Sequence, residues 1–258
     1  MAPSSRNSNR TGFSSAVKRG WNSKPTAIGA GVVVALALIV VLLSTILGVF
    51  APANSGNESA GQSASTSAHA PAPGACEVPT TGRARQEVPS DLTWHAGRGG
   101  ISWPVSATVG PTKKVDGFAA CFARTPTGAA LAATTGYLGQ YDTGHTVREL
   151  LNFYIADGAG KPISVDGTVK KQTTPEQMRA QGISAAGYSV ESFTKDRAIV
   201  DVVLTESGTS TGYFAVPFTM VWVHGDWKVQ VQDNGEIFSG NPLTPSEGDF
   251  IGWGDSNG

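Results

Sequence analysis

The pattern of apolar and polar positions divides the chain before any motif is considered. From Thr26 to Phe50, TAIGAGVVVALALIVVLLSTILGVF, no residue is charged, and the next charge is Glu58. As a helix this stretch would run about 38 Å against a hydrocarbon core of about 30 Å, which predicts one tilted membrane span. A cleaved signal peptide has a shorter apolar core, of about 7–15 residues. Ala51-Pro52-Ala53 still offers small residues for cleavage, so that reading stays beside the anchor. Residues 51–75 carry no large apolar side chain and read as a flexible linker, reaching about 25–30 Å as a coil.

Beyond residue 75 the pattern is that of a folded domain. Residues 76–125 are rich in Pro and Gly with little period, and Trp94 and Trp103 are their large anchors. Val115 to Ala123, VDGFAACFA, reads as a strand or a buried extended segment. Thr125-Pro126 then gives an N-cap and a proline at the first helical position, ahead of a helix of small residues that would lie close to its neighbour. Thr146 and Glu149 form a capping-box pattern, and Val147, Leu150, Leu151 and Tyr154 share one helical face, with Gly158 as the stop. Thr174-Pro175 predicts a third helix, to about Gln181.

From Tyr188 the period becomes two. Tyr188–Phe193, Arg197–Thr205, Tyr213–His224 and Trp227–Gln232 read as four strands, the last two joined by a type II′ turn at Gly225-Asp226. Pro217 must then face an edge or sit at a bulge. After Asn234 only Ile237, Phe238, Leu243, Phe250, Ile251 and Trp253 could dock the tail, which is expected on the surface or partly disordered. Helices followed by an antiparallel meander give an α+β class, with helices on one face of a curved sheet. The predicted organisation is a basic cytoplasmic tail (1–25), a transmembrane helix (26–50), a linker (51–75), an extracytoplasmic α+β domain (76–240) and a C-terminal tail (241–258).

Charge orients this arrangement. Residues 1–25 hold Arg6, Arg10, Lys18, Arg19 and Lys24 with no acid, which is +5, and the remaining 14 basic and 20 acidic residues sum to −6. Positive residues beside a span keep that end in the cytoplasm, with Trp21 as an interfacial aromatic. A mildly acidic outer domain argues against direct nucleic-acid binding. Within the span, Ala27, Gly31 and Ala35, and then Ser44 and Gly48, recur every four residues. Such faces let helices self-associate, although small residues are also simply common in membrane helices.

Cys76 and Cys121 are the only cysteines, and an exported domain favours one structural disulfide between them over two thiols that never meet. Catalytic signals are absent: there is no P-loop, no G-x-G-x-x-G, no G-x-S-x-G and no H-E-x-x-H. His69, His95, His145 and His224 are scattered, and Asn57-Glu58-Ser59 has the form of a glycosylation sequon, a tripeptide common by chance. His145 lies just ahead of a helix cap, and Asp201 shares a strand face with Ile199, Val203 and Thr205. Either could serve a pocket as a base or be structural. No catalytic, cofactor-binding or metal residue is nominated, no cofactor is expected, and the chain reads as a non-enzyme.

Two runs carry a resemblance: Gly117-Phe118 followed by Ala123-Arg124-Thr125-Pro126-Thr127-Gly128-Ala129-Ala130-Leu131-Ala132-Ala133, and the late Trp222, Gly225, Asp226, Trp227 and Lys228. With Trp94 and Gly110-Pro111, they make residues 80–235 resemble actinobacterial single-span membrane proteins of mobile and conjugative elements. Ala119, Ala120 and Cys121 interrupt the usual passage between the two parts of the first run. The resemblance implies an NTF2-like (cystatin-like) domain, like that of assembly factors of conjugative type IV secretion channels. By that analogy the chain is a bitopic membrane protein whose outer domain contacts other membrane proteins of a transfer complex, and its own copies. A cell-envelope domain binding a small ligand in an apolar pocket is the alternative, and an enzyme using Asp201 or His145 comes third.

Overall fold

A computed structural model describes residues 76–79, 87–238 and 242–254. The apolar stretch 26–50 and the linker 51–75 lie outside the described residues, and so do His69, the sequon and the basic tail. Among the described residues no helix is long and apolar enough to cross a membrane.

The domain is α+β with antiparallel sheets. Two hairpins come first, β1 (Leu92–Ala96) with β2 (Ser102–Ser106) and β3 (Lys113–Val115) with β4 (Phe118–Ala120). Helices α1 (Pro126–Leu138), α2 (Val147–Tyr154), α3 (Lys161–Lys171) and α4 (Pro175–Ala180) follow. The strands β5 (Ala185–Phe193), β6 (Arg197–Thr205), β7 (Tyr213–Val223), β8 (Asp226–Gln230) and β9 (Ile251–Gly252) form one sheet in the order β8-β7-β6-β5-β9. Register shifts between Ala185 and Gly187 and between Val190 and Ser192 mark bulges in β5, which bend a strand and increase its twist.

Helix α1 begins as the sequence indicates, with Thr125 Oγ1 accepting from the Gly128 amide at 3.1 Å. Its small side chains let it lie against the inner sheet face, and Ala129, Ala130, Leu131 and Ala133 are fully buried. A Cβ on Gly128 would overlap the Ala123 carbonyl, so glycine is needed there. Val200, Val202 and Leu204 of β6, Phe218 and Met220 of β7 and Trp227 and Val229 of β8 complete the same core. The capping box expected of Thr146 and Glu149 forms on α2, and Thr174, read as a helix start, makes a second one with Gln177 on α4.

Several expectations are corrected. Val115 to Ala123 is not one strand: Asp116 and Gly117, at φ 52° and 89°, turn the chain between β3 and β4. Helix α2 ends at Tyr154, before Gly158 is reached. Helix α3 was not anticipated, because KPISVDGTVKK buries only Ser164 and Val165 and so shows no apolar stripe. The β7–β8 turn is His224-Gly225, not Gly225-Asp226. Both residues have positive φ, 53° and 82°, as a type I′ turn requires, and Asp226 becomes the first residue of β8.

Pro217 fits because the ladder on its free side is interrupted. Strand β8 ends with Gln230 opposite Thr219, and the next pairing on that side is Leu243 with Ala215. The tail is therefore no loose appendage. Leu243, Ala215, Val203, Gly187 and Gly252 occupy one row across the sheet, so residues 243–252 travel from one edge to the other, about 19 Å. Phe250 lies against Gly187 of β5 and 5.0 Å from the Tyr213 ring of β7, which puts it over the outer face. Trp253 then stacks on Tyr188 at 4.4 Å and is buried.

Candidate functional site

The two runs that carry the resemblance, about a hundred residues apart, meet at one junction. The Asp226 carboxyl accepts from the Cys121 amide (3.1 Å), the Phe122 amide (3.0 Å) and its neighbour Trp227 (3.0 Å). Trp227 Nε1 donates to the Ala123 carbonyl at 2.9 Å, and the Arg124 guanidinium lies over the Trp222 ring. Lys228 Nζ sits 3.7 Å above the Phe153 ring and 3.9 Å from Asp226. Burial pushes the Asp226 carboxyl up, opposed by the Phe122 amide and Lys228; burial pulls Lys228 down. Cys76 and Cys121 are joined here, with Cα atoms 5.1 Å apart. Asp226 and Trp227 thereby tie the start of β8 to the segment between β4 and α1, and Lys228 reaches across to Phe153 of α2.

A cavity lies beside the last turn of α1, where Gly136 and Tyr137 line it. It measures about 300 Å³, between the helices and the inner sheet face, with Ile237, Phe238 and Pro242 closing one side. Its walls are mainly apolar, among them Leu151 of α2, Phe214, Val216 and Phe218 of β7 and Val229 of β8. Two acids line it, Glu206 and the partly exposed Glu236. Glu206 follows β6 and continues the inward series Val200, Val202, Leu204, because side chains two apart share a face.

The Glu206 backbone is tied down: its amide donates to the Gly212 carbonyl, and its carbonyl accepts from Thr209. Its side chain is not. Glu206 is 2% exposed, and its Oε1 has no hydrogen-bond partner among the described residues. Burial pushes its carboxyl above the ordinary value of 4.5. Tyr137, also on the cavity wall, has its hydroxyl pushed up to about 12 by burial and then by the charge of Glu206. The sequence reading did not single out Glu206, which lies one residue past the correctly placed end of β6, although the period of two points to it.

The residues singled out from the sequence lie elsewhere. Asp201 is buried on the outer face, pairs with Pro217 and accepts from Ser189 Oγ at 2.7 Å; its Oδ1 has no partner among the described residues. Burial raises it, against the Ser189 hydrogen bond. It does not line the inner cavity. His145 stacks on Phe118 at 3.9 Å, and His224 is exposed in the turn. His95 Nε2 is 3.6 Å from Asp142 Oδ1, too long for a hydrogen bond, and its side chain is 44% exposed. No buried Asp–His pair exists among the described residues. Nor does any group of three His, Cys, Asp or Glu there have the arrangement to hold a metal ion.

Fold and site together define an α+β domain whose helices and sheet enclose an apolar cavity with one unpaired acid. The chain belongs to the family described as a domain of unknown function (DUF8175), which matches residues 55–251. That match includes the tail as far as Ile251, in agreement with its place in the sheet. No curated protein and no solved structure matches the chain.

Proposed function

We propose that this is a membrane-anchored, extracytoplasmic domain of NTF2-like architecture that binds a small apolar ligand in its inner cavity. The observation carrying this reading is the cavity itself: about 300 Å³, walled mainly by aliphatic and aromatic side chains, with one buried acid. Ligand sites are typically concave and apolar, at about 300–1,000 Å³, with few polar groups to orient the ligand. Helices packed on one face of an antiparallel sheet with bulges in β5 support the NTF2-like assignment, and the uncharged stretch from Thr26 to Phe50 supports the anchor. No His lines the cavity, and the candidate bases His145 and Asp201 lie outside it, so a non-catalytic role is preferred.

The test is native mass spectrometry of the full-length chain extracted from its own membranes. A co-purifying small molecule, lost when Val216→Phe fills the cavity, is the expected result. Equal recovery from both forms would remove the reading.

A second reading gives the outer surface of the domain to contacts with other membrane proteins of a conjugative transfer apparatus and with copies of itself. It is favoured by the resemblance runs meeting at one junction, which suits a shared scaffold in that group. Crosslinking in the native host should capture membrane-embedded transfer proteins; capture of the monomer alone would oppose it.

A further inference from the structure

Among the described residues Glu206 is the only buried acid of the cavity wall, and none of them bonds its Oε1. A buried carboxyl oxygen without a donor has lost its water and gained nothing in return, so such an atom in a packed domain calls for a partner. Among the described residues the remaining charges on the wall are Glu236 and the exposed Lys171, which leaves that lining negative by one. Aromatic side chains, Tyr137, Phe214 and Phe218, share the cavity with the carboxyl. Aromatic faces attract cations, and a carboxylate attracts them more strongly where water is excluded.

We infer that the ligand of this cavity is an apolar amine, bound as its ammonium with an N–H directed at Glu206 Oε1 and its hydrocarbon against the aromatic wall. The inference rests on the reading of the cavity as a ligand site. A neutral hydroxyl could satisfy Oε1 by one hydrogen bond but would leave the charge uncompensated. An anionic ligand would meet like charge in a low-dielectric site.

The test uses three probes of one shape and different charge, 2-naphthylmethylamine, 2-naphthylmethanol and 2-naphthoate. Each is titrated calorimetrically into the full-length chain in detergent and into Glu206→Gln, whose thermal unfolding confirms its fold. The amine should bind the wild-type chain at least tenfold more tightly than the alcohol, and the carboxylate most weakly. Glu206→Gln should bring the amine down to the affinity of the alcohol and leave the alcohol unchanged. Equal or tighter binding of the alcohol by the wild-type chain, or an amine preference that survives in Glu206→Gln, overturns the amine assignment and leaves the cavity reading standing. Failure of all three probes to bind overturns both.

Discussion

Asp226 and Glu206 are both buried carboxyls on the same sheet, both pushed up by burial, and they have opposite surroundings. Asp226 accepts from three backbone amides and has Lys228 close by; Glu206 leaves Oε1 with no donor among the described residues. A carboxyl that the fold has enclosed and fully bonded is part of the framework. One enclosed beside empty apolar space, and left unbonded, lowers stability and is suited to an incoming group. That difference separates the structural motif of this chain from its candidate site.

The strongest way to break the comparison is to open the junction. Cys76→Ser with Cys121→Ser should lower unfolding free energy by about 4 kcal/mol, as expected for a closed loop spanning a separation of 45 residues, measured by denaturant unfolding. Loss of less than about 1 kcal/mol would mean that the bond does not brace β4. Asp226→Ala comes next, at about 3 kcal/mol, because the Cys121 and Phe122 amides are left buried without an acceptor. Asp226→Asn keeps one acceptor oxygen and should lose about half as much. Neither substitution should change the relative affinities of the three naphthyl probes.

The tail should respond more mildly. Phe250→Ala uncovers the outer face near Val203 and should cost about 2 kcal/mol, with faster amide exchange at Trp253 than at Leu131. Exchange unchanged at Trp253 would show that Phe250 does not hold the crossing segment. Glu206→Gln should have the smallest effect on stability and the opposite sign, a gain on the order of 1 kcal/mol at neutral pH. A carboxyl whose folded value is raised keeps its proton longer in the folded chain than in the unfolded one. Its contribution to stability therefore falls as pH rises from about 4.5 through the folded value, and the substitution should remove that slope. Asp226 and Asp201 are raised as well and contribute the same sign, but both remain in the variant, so the difference between the two pH curves isolates Glu206.

The framework was more legible than the site. Caps at Thr125, Thr146 and Thr174 announced three helices, because threonine and proline act through local bonds a few residues away. Strand β6 was read with its observed limits, since RAIVDVVLT is rich in β-branched residues, although Val200 to Leu204 are all buried in the fold. Helix α3 escaped because it shows no apolar stripe, and the β1–β2 hairpin because Pro and Gly around it mask the alternation in LTWHA. Asp226 beside a glycine looked like a turn residue; its role depends on Cys121 and Phe122, which a local pattern cannot supply. Trp253 looked like the end of a weak tail, and only pairing with β5 buries it. Glu206 lay one step beyond a strand whose period already pointed at it. What no sequence pattern carries is that this inward position opens on empty space.

The most direct test of the account follows both carboxyls at once. Side-chain carboxyl titration of Glu206 and Asp226 by carbon-13 NMR, on the full-length chain with and without saturating 2-naphthylmethylamine, compares the two sites in one molecule. The account predicts that the amine lowers the Glu206 midpoint markedly and leaves the Asp226 midpoint in place. A Glu206 midpoint that does not move with the probe bound, or one that moves together with Asp226, would contradict it.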